Sequence, residues 1–96
     1  MREASIEAAC RAYAIRRGCW PIKIQGGITG EPDRGFILPG HLFWPIEFKA
    51  TGVKRLRPRQ RVRHAELEAL GIHVTVIDST AHFKILLDLY LGATSE

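Results

Sequence analysis

Cysteine is scarce in this sequence: Cys10 and Cys19 are the only two, and their spacing is neither that of a metal knuckle nor that of a redox pair. A disulfide scaffold is therefore not expected, and both should be free thiols in a reducing compartment. Uninterrupted apolar runs of membrane-spanning length are also missing, as is a basic-then-apolar leader at the N-terminus, so the expected location is the cytoplasm, with no membrane partner. There is no internal repeat and no low-complexity segment. At 96 residues and 46% hydrophobic, the chain suits one domain with a single core, assigned to residues 1–92, with 93–96 as a frayed tail.

Acidic residues are sparse where the basic ones gather. The net charge of +4 conceals a stripe in which Lys54, Arg55, Arg57, Arg59, Arg61 and Arg63 fall within ten residues. Such a local field attracts phosphates.

Helical spacing of Ile6, Ala9, Cys10, Tyr13 and Ala14 predicts a first helix over 2–17, ended by Gly18. Glu3 and Glu7 lie one turn apart beside its apolar stripe, and Glu7, deeper in the helix, is the better placed to reach inward. Trp20 to Gln25 reads as a strand with Trp20, Ile22 and Ile24 on one face and Lys23 on the other. The glycine-rich stretch from Gly26 to Gly30 reads as a mobile loop. A hairpin over 33–50 follows, with strands Gly35–Leu38 and Leu42–Ala50 joined at Pro39-Gly40. Pro45 cannot donate to a ladder, which suits an edge or a bulge.

Pro58 fits the first turn of a second helix running to Leu70, with Val62, Ala65, Leu67, Ala69 and Leu70 as its expected buried side. Arg59 and Arg63 form an exposed pair one turn apart, and Gln60 and His64 share another face. His73 to Ile77 reads as a fourth strand, and Asp78-Ser79 as the cap of a last helix with a stripe of Phe83, Leu86, Leu87 and Tyr90. Ile85 and Leu89 make a second, offset stripe, as either a deeply buried helix or one facing a partner subunit would carry.

The stretch from Gly30 to Lys49 sets charges into apolar surroundings, which is costly without a use for them. Glu47 and Lys49 fall on one strand face, about 7 Å apart. Alone, such a pair is also what a solvated sheet face carries as a weak ion pair. Asp33, in a Gly-x-Pro-Asp context on the preceding strand, makes a site the better reading.

In order of elements and in this acid, acid-x-lysine pattern, the sequence resembles the PD-(D/E)XK nucleases. Arg2-Glu3, Ile6-Glu7, Lys23, Gly30-x-Pro32-Asp33-Arg34, Pro39-Gly40, Glu47-Phe48-Lys49-Ala50, Gln60, His64, Leu70-Gly71 and Val76-Ile77-Asp78-Ser79 resemble the VRR-NUC family in its minimal phage and bacterial form. That resemblance implies an α/β restriction-endonuclease-like αβββαβα core, a central mixed sheet flanked by helices. It implies Mg²⁺ or Mn²⁺ held by Asp33, Glu47, the Phe48 backbone carbonyl and Glu7, an all-oxygen set suited to these ions. Lys49 would position the attacking water and offset charge at phosphorus, and Gln60 would orient Lys49 or the water.

The implied activity is hydrolysis of phosphodiester bonds by a metal-dependent endodeoxyribonuclease in bacterial or phage-infected cytoplasm. Its DNA contacts would come from Lys23, Lys54, Arg55, Arg57, Arg59, Arg61 and Arg63. With no added DNA-binding domain, a homodimer acting on branched DNA of the four-way-junction type is the expectation. The competing readings are a catalytically idle nucleic-acid-binding module of the same fold and an assembly factor that uses the last helix as its interface.

Overall fold

Ile6, Cys10 and Ala14 recur every four residues, and a helix through them buries one stripe; α1 (Glu3–Arg16) encloses all three fully. The computed structural model describes every residue except Gln25, His41, Lys54, Ser95 and Glu96, and the side chains of Ala93 and Thr94. After α1 come β1 (Trp20–Lys23), β2 (Arg34–Leu38), β3 (Leu42–Phe48), α2 (Pro58–Ala69), β4 (Thr75–Ile77) and α3 (Thr80–Thr94). The expected αβββαβα order is present.

The strands form one mixed sheet in the order β1-β2-β3-β4. The first three are antiparallel, as short connections allow, and α2 supplies the crossover that lets β4 run parallel to β3. Phe36, Ile46, Phe48 and Ile77 point from the sheet into a core shared with Ile6 and Cys10 of α1 and with Phe83 and Leu87 of α3. Trp44 stacks on Phe83 at 5.1 Å between centroids, meets Tyr90 edge-on at 5.0 Å, and donates its indole N–H to Thr75 Oγ1 at 2.8 Å. Large rings with a satisfied polar end fix the packing at this point of the core.

Both cysteines are buried and free, as expected. Several local expectations need correction. β1 stops at Lys23, and Trp20 on this edge strand is 70% exposed. Gln25, placed on that strand from sequence, lies outside the described residues. β4 begins at Thr75 rather than His73. Ser79 alone caps α3, accepting the His82 N–H at 3.0 Å, whereas Asp78 turns back to accept the Gly52 N–H at 3.1 Å. α3 extends to Thr94, and the last two tail residues lie outside the described residues.

Pro45 occupies neither an edge nor a bulge but the central strand β3. The Phe48 N–H points toward β2, where it meets Asp33 Oδ2, and the Lys49 N–H points toward β4, where it meets the Ile77 carbonyl. Amide direction alternates along a strand, so the Pro45 nitrogen faces the β4 side. The β3–β4 ladder begins only at Ile46↔Thr75, and the proline therefore forfeits no ladder bond.

The largest correction concerns α2. It has no fully buried residue; Val62 is 54% and Leu70 79% exposed. Its inward face is Gln60, Arg63, His64 and Leu67, each half-buried. An apolar groove of about 520 Å³, with Pro45, Phe43, Leu67, Leu70 and Ile72 among its lining residues, runs between this helix and the sheet. Packing explains why position 35 is glycine: a Cβ there would stand 2.3 Å from the Phe43 ring, which lies across β2 at that point.

Candidate active site

Alternation on β3 sends Trp44, Ile46 and Phe48 into the core and leaves Glu47 and Lys49 facing α2. Both are buried, Glu47 to 1% exposure. Lys49 lies one residue beyond the strand as assigned, yet its N–H bond to Ile77 at 2.9 Å keeps it in line with β3. Asp33 immediately precedes β2, and the antiparallel register brings it beside the end of β3, where its Oδ2 accepts the Phe48 N–H at 3.3 Å. Two acids far apart in sequence thus meet because a hairpin folds one strand against the other.

Their proximity shows in the electrostatics. Burial pushes the Glu47 carboxyl up to about 9; a hydrogen bond with Asp33 and the charge of Asp33 push it the same way, Lys49 opposes, and Glu3 adds a smaller upward push. Glu47 Oε1 is buried without a hydrogen-bond partner. A pair of crowded carboxylates with an unpartnered oxygen is what a cation neutralises.

The Lys49 ammonium donates to Gln60 Oε1 at 2.8 Å, and the same oxygen accepts the Arg57 N–H at 2.9 Å, capping α2. Gln60 therefore fixes the start of the helix and the lysine at once. One turn later on α2, His64 Nε2 stands 3.5 Å from Glu47 Oε1. Burial first, and then the charge of Lys49, hold the imidazole below its ordinary value. Sequence reasoning placed His64 on the Gln60 face without giving it a part in the site. The usable signal was spacing: residues four apart on a helix span about the same length as residues two apart on a strand.

The glycine loop is docked rather than free of the helix. A Cβ on Gly30 would lie 2.5 Å from the Arg59 carbonyl, and the Arg63 Nε–H donates to the Thr29 carbonyl at 3.1 Å. Gly30 also has φ +89°, which only glycine adopts without strain. The loop that leads to Asp33 is thereby locked to the helix that carries Gln60.

The two acids of α1 part ways. Glu7 pairs with Arg34 Nη2 at 3.2 Å, and Arg34 shares its β2 face with the core residues Phe36 and Leu38. Glu3 is the acid of α1 whose charge is felt by Glu47. The start of α1 is drawn to this end of the sheet by Met1, whose ammonium donates to Thr51 Oγ1 at 2.8 Å and whose carbonyl accepts the Thr51 N–H at 3.0 Å.

Among the basic residues expected to touch DNA, Lys23, Arg55, Arg57, Arg59 and Arg61 are exposed. Arg63 is half-buried, bound to Thr29 and paired with Glu66, and Lys54 lies outside the described residues. Among the described residues, no three His, Cys, Asp or Glu side chains form a ready-made cation cage, and no helix is long and apolar enough to cross a membrane.

No family model matches the sequence. Over 87 residues the chain is 38% identical to "Putative nuclease p44" of Acyrthosiphon pisum secondary endosymbiont phage 1, an alignment that covers 90% of this chain and 92% of that protein. A solved structure described as "VRR_NUC domain" superposes with a TM-score of 0.82 at 25% identity, covering 92% of this chain and 96% of the other. With the αβββαβα core in place and near full-length likeness to both, the chain belongs to the VRR-NUC family of nucleases, with the restriction-endonuclease-like fold.

Proposed function

We propose that this nuclease is a Mg²⁺- or Mn²⁺-dependent endodeoxyribonuclease that hydrolyses phosphodiester bonds. The observation that carries this reading is the meeting of Asp33 with the buried, raised-pKa Glu47, two residues before Lys49 on one strand face. The donor set fits a hard divalent ion. Asp33, Glu47 and the Phe48 carbonyl offer oxygen only, and the two crowded carboxylates need a positive partner. Glu7 is engaged by Arg34, so the contribution of α1 is assigned to Glu3, with Glu7 balancing the arginine. A bound Mg²⁺ or Mn²⁺ supplies neutralisation of phosphate charge and a lowered pKa for the attacking water.

The remaining chemistry belongs to the chain. Lys49 has three ammonium donors and gives one to Gln60, leaving two for the water and a non-bridging phosphate oxygen. Fixed donors aimed where negative charge develops are the efficient form of electrostatic catalysis. Arg55, Arg57, Arg59 and Arg61, exposed on the approach to α2 and its first turns, together with Lys23, hold the DNA backbone.

Ile85 and Leu89, 60% and 64% exposed and four residues apart on α3, support a homodimer. Two sites related by a two-fold axis suit branched DNA such as a four-way junction. Two free, buried thiols agree with a cytoplasmic location in a bacterium or a phage-infected host.

The test is cleavage of branched and linear DNA by purified protein in Mn²⁺, Mg²⁺ or EDTA, with Asp33→Asn and Lys49→Ala alongside. Cleavage of branched DNA that needs the metal and both side chains is expected. Activity in EDTA, or undiminished activity of Lys49→Ala, refutes the mechanism. Salt-sensitive binding with no cleavage under either ion identifies an idle binding module instead.

A further inference from the structure

Four residues separate Gln60 from His64 on α2, and two separate Glu47 from Lys49 on β3. A helix advances about 6 Å over four residues and a strand about 7 Å over two, so one rigid helix can present a partner to each member of the strand pair. Gln60 meets Lys49 and His64 meets Glu47, with the two elements running in opposite directions. The Gln60 contact is closed at 2.8 Å. The His64 contact stands at 3.5 Å, about 0.6 Å longer than an N–H···O hydrogen bond, and both of its atoms, His64 Nε2 and Glu47 Oε1, are buried without a partner. Buried polar atoms are normally paired, and these two face each other.

We propose that His64 is a positioning residue for Glu47: the imidazole donates its Nε2–H to Glu47 Oε1, fixing the carboxylate so that its second oxygen is presented toward Asp33 and the cation. This rests on the metal-dependent reading above and assigns a task to a side chain which that reading leaves unused. α2 then acts as a two-point brace, with Gln60 setting the lysine and His64 setting the glutamate. A carboxylate that coordinates a metal gains affinity when its orientation is fixed by a hydrogen bond from outside the ligand set, and losing such a bond typically costs 10- to 100-fold.

The test compares His64→Leu, which removes the donor, with His64→Gln, whose amide nitrogen falls near the Nε2 position. Mn²⁺ affinity is measured by calorimetry on the full chain, and folding is checked by thermal melting in EDTA. Binding about 10- to 100-fold weaker in His64→Leu and within roughly threefold of the parent in His64→Gln is expected. Should His64→Leu fail to melt cooperatively, His64→Asn, whose amide is too short to reach Glu47, takes its place in the comparison. Parent-like affinity in the donor-less variant overturns the assignment, and so does equal weakening of the donor-less variant and His64→Gln. Imidazole nitrogen couplings in the pulsed EPR spectrum of the Mn²⁺ complex also overturn it, by making His64 a direct ligand. A parent protein that takes up no Mn²⁺ removes the metal-dependent reading itself, a result distinct from any difference among variants.

Discussion

Replacing Glu47 with glutamine separates what this carboxylate costs the fold from what it contributes to the chemistry. Burial, reinforced by Asp33, holds its carboxyl at about 9 in the folded protein against 4.5 for the ordinary group. The folded chain therefore binds a proton that the unfolded chain releases. Stability from this group is fully present below pH 4.5 and is lost as pH rises toward 9. Each pH unit in that window costs ~1.4 kcal/mol, which puts an upper bound of about 3 kcal/mol on the cost at pH 7. Relaxation and water penetration reduce such penalties, and a gain of roughly 1–3 kcal/mol is expected for Glu47→Gln at pH 7. Its amide is neutral and can donate to Asp33. In a domain of this size each kcal/mol raises the melting midpoint by roughly 4–8 °C. The assay is urea denaturation in EDTA at pH 5, 7 and 8.5, with DNA cleavage in Mn²⁺ measured in parallel. The stability gain should be small at pH 5 and grow with pH, while cleavage is lost. A variant less stable than the parent at pH 7, or a gain independent of pH, refutes the reasoning.

Gly30→Ala places a methyl 2.5 Å from the Arg59 carbonyl at φ +89°, and a loss of at least about 1–2 kcal/mol is expected by denaturant titration. Gln60→Leu removes the acceptor of both Lys49 Nζ and the Arg57 N–H; a stability loss of about 1 kcal/mol with a fall in kcat is expected from melting and steady-state kinetics. Converting Arg57, Arg59 and Arg61 together to glutamine should flatten the slope of log binding constant against log salt by up to about 3, read by DNA titration at several salt concentrations.

Much of the fold was legible because it depends on spacing. The stripe of α1, the hairpin at Pro39-Gly40 and the alternation along β3 follow from periods of 3.6 and 2, and they alone place Glu47 and Lys49 on one face. The turn at Pro39-Gly40 already suggests that a hairpin brings Asp33 near Glu47, but the detail of their contact depends on cross-strand register, which is set in three dimensions. Pro45 was misjudged for the same reason: sequence reveals a missing donor but not that the neighbouring strand begins one residue later. Depth in the helix favoured Glu7 over Glu3 as the inward acid, and the Arg34 that engages Glu7 comes from β2, a partner that helical spacing does not reveal.

α2 was misread for a reason tied to function. Apolar periodicity marks the buried side of a helix only when that side faces a core. The inward side of α2 faces the site, so its polar contacts are made by Gln60, Arg63 and His64, while Leu67 and Leu70 line the groove and Val62 is left outside. Little hydrophobic burial fixes this helix; polar contacts to Lys49, Thr29 and the close approach of Gly30 do so instead. Elements with few buried apolar contacts open at lower free energy than the rest of a domain. The helix with the weakest hold on the core is thus the one that orients the lysine, and the same polar contacts that shape the site keep the helix in place.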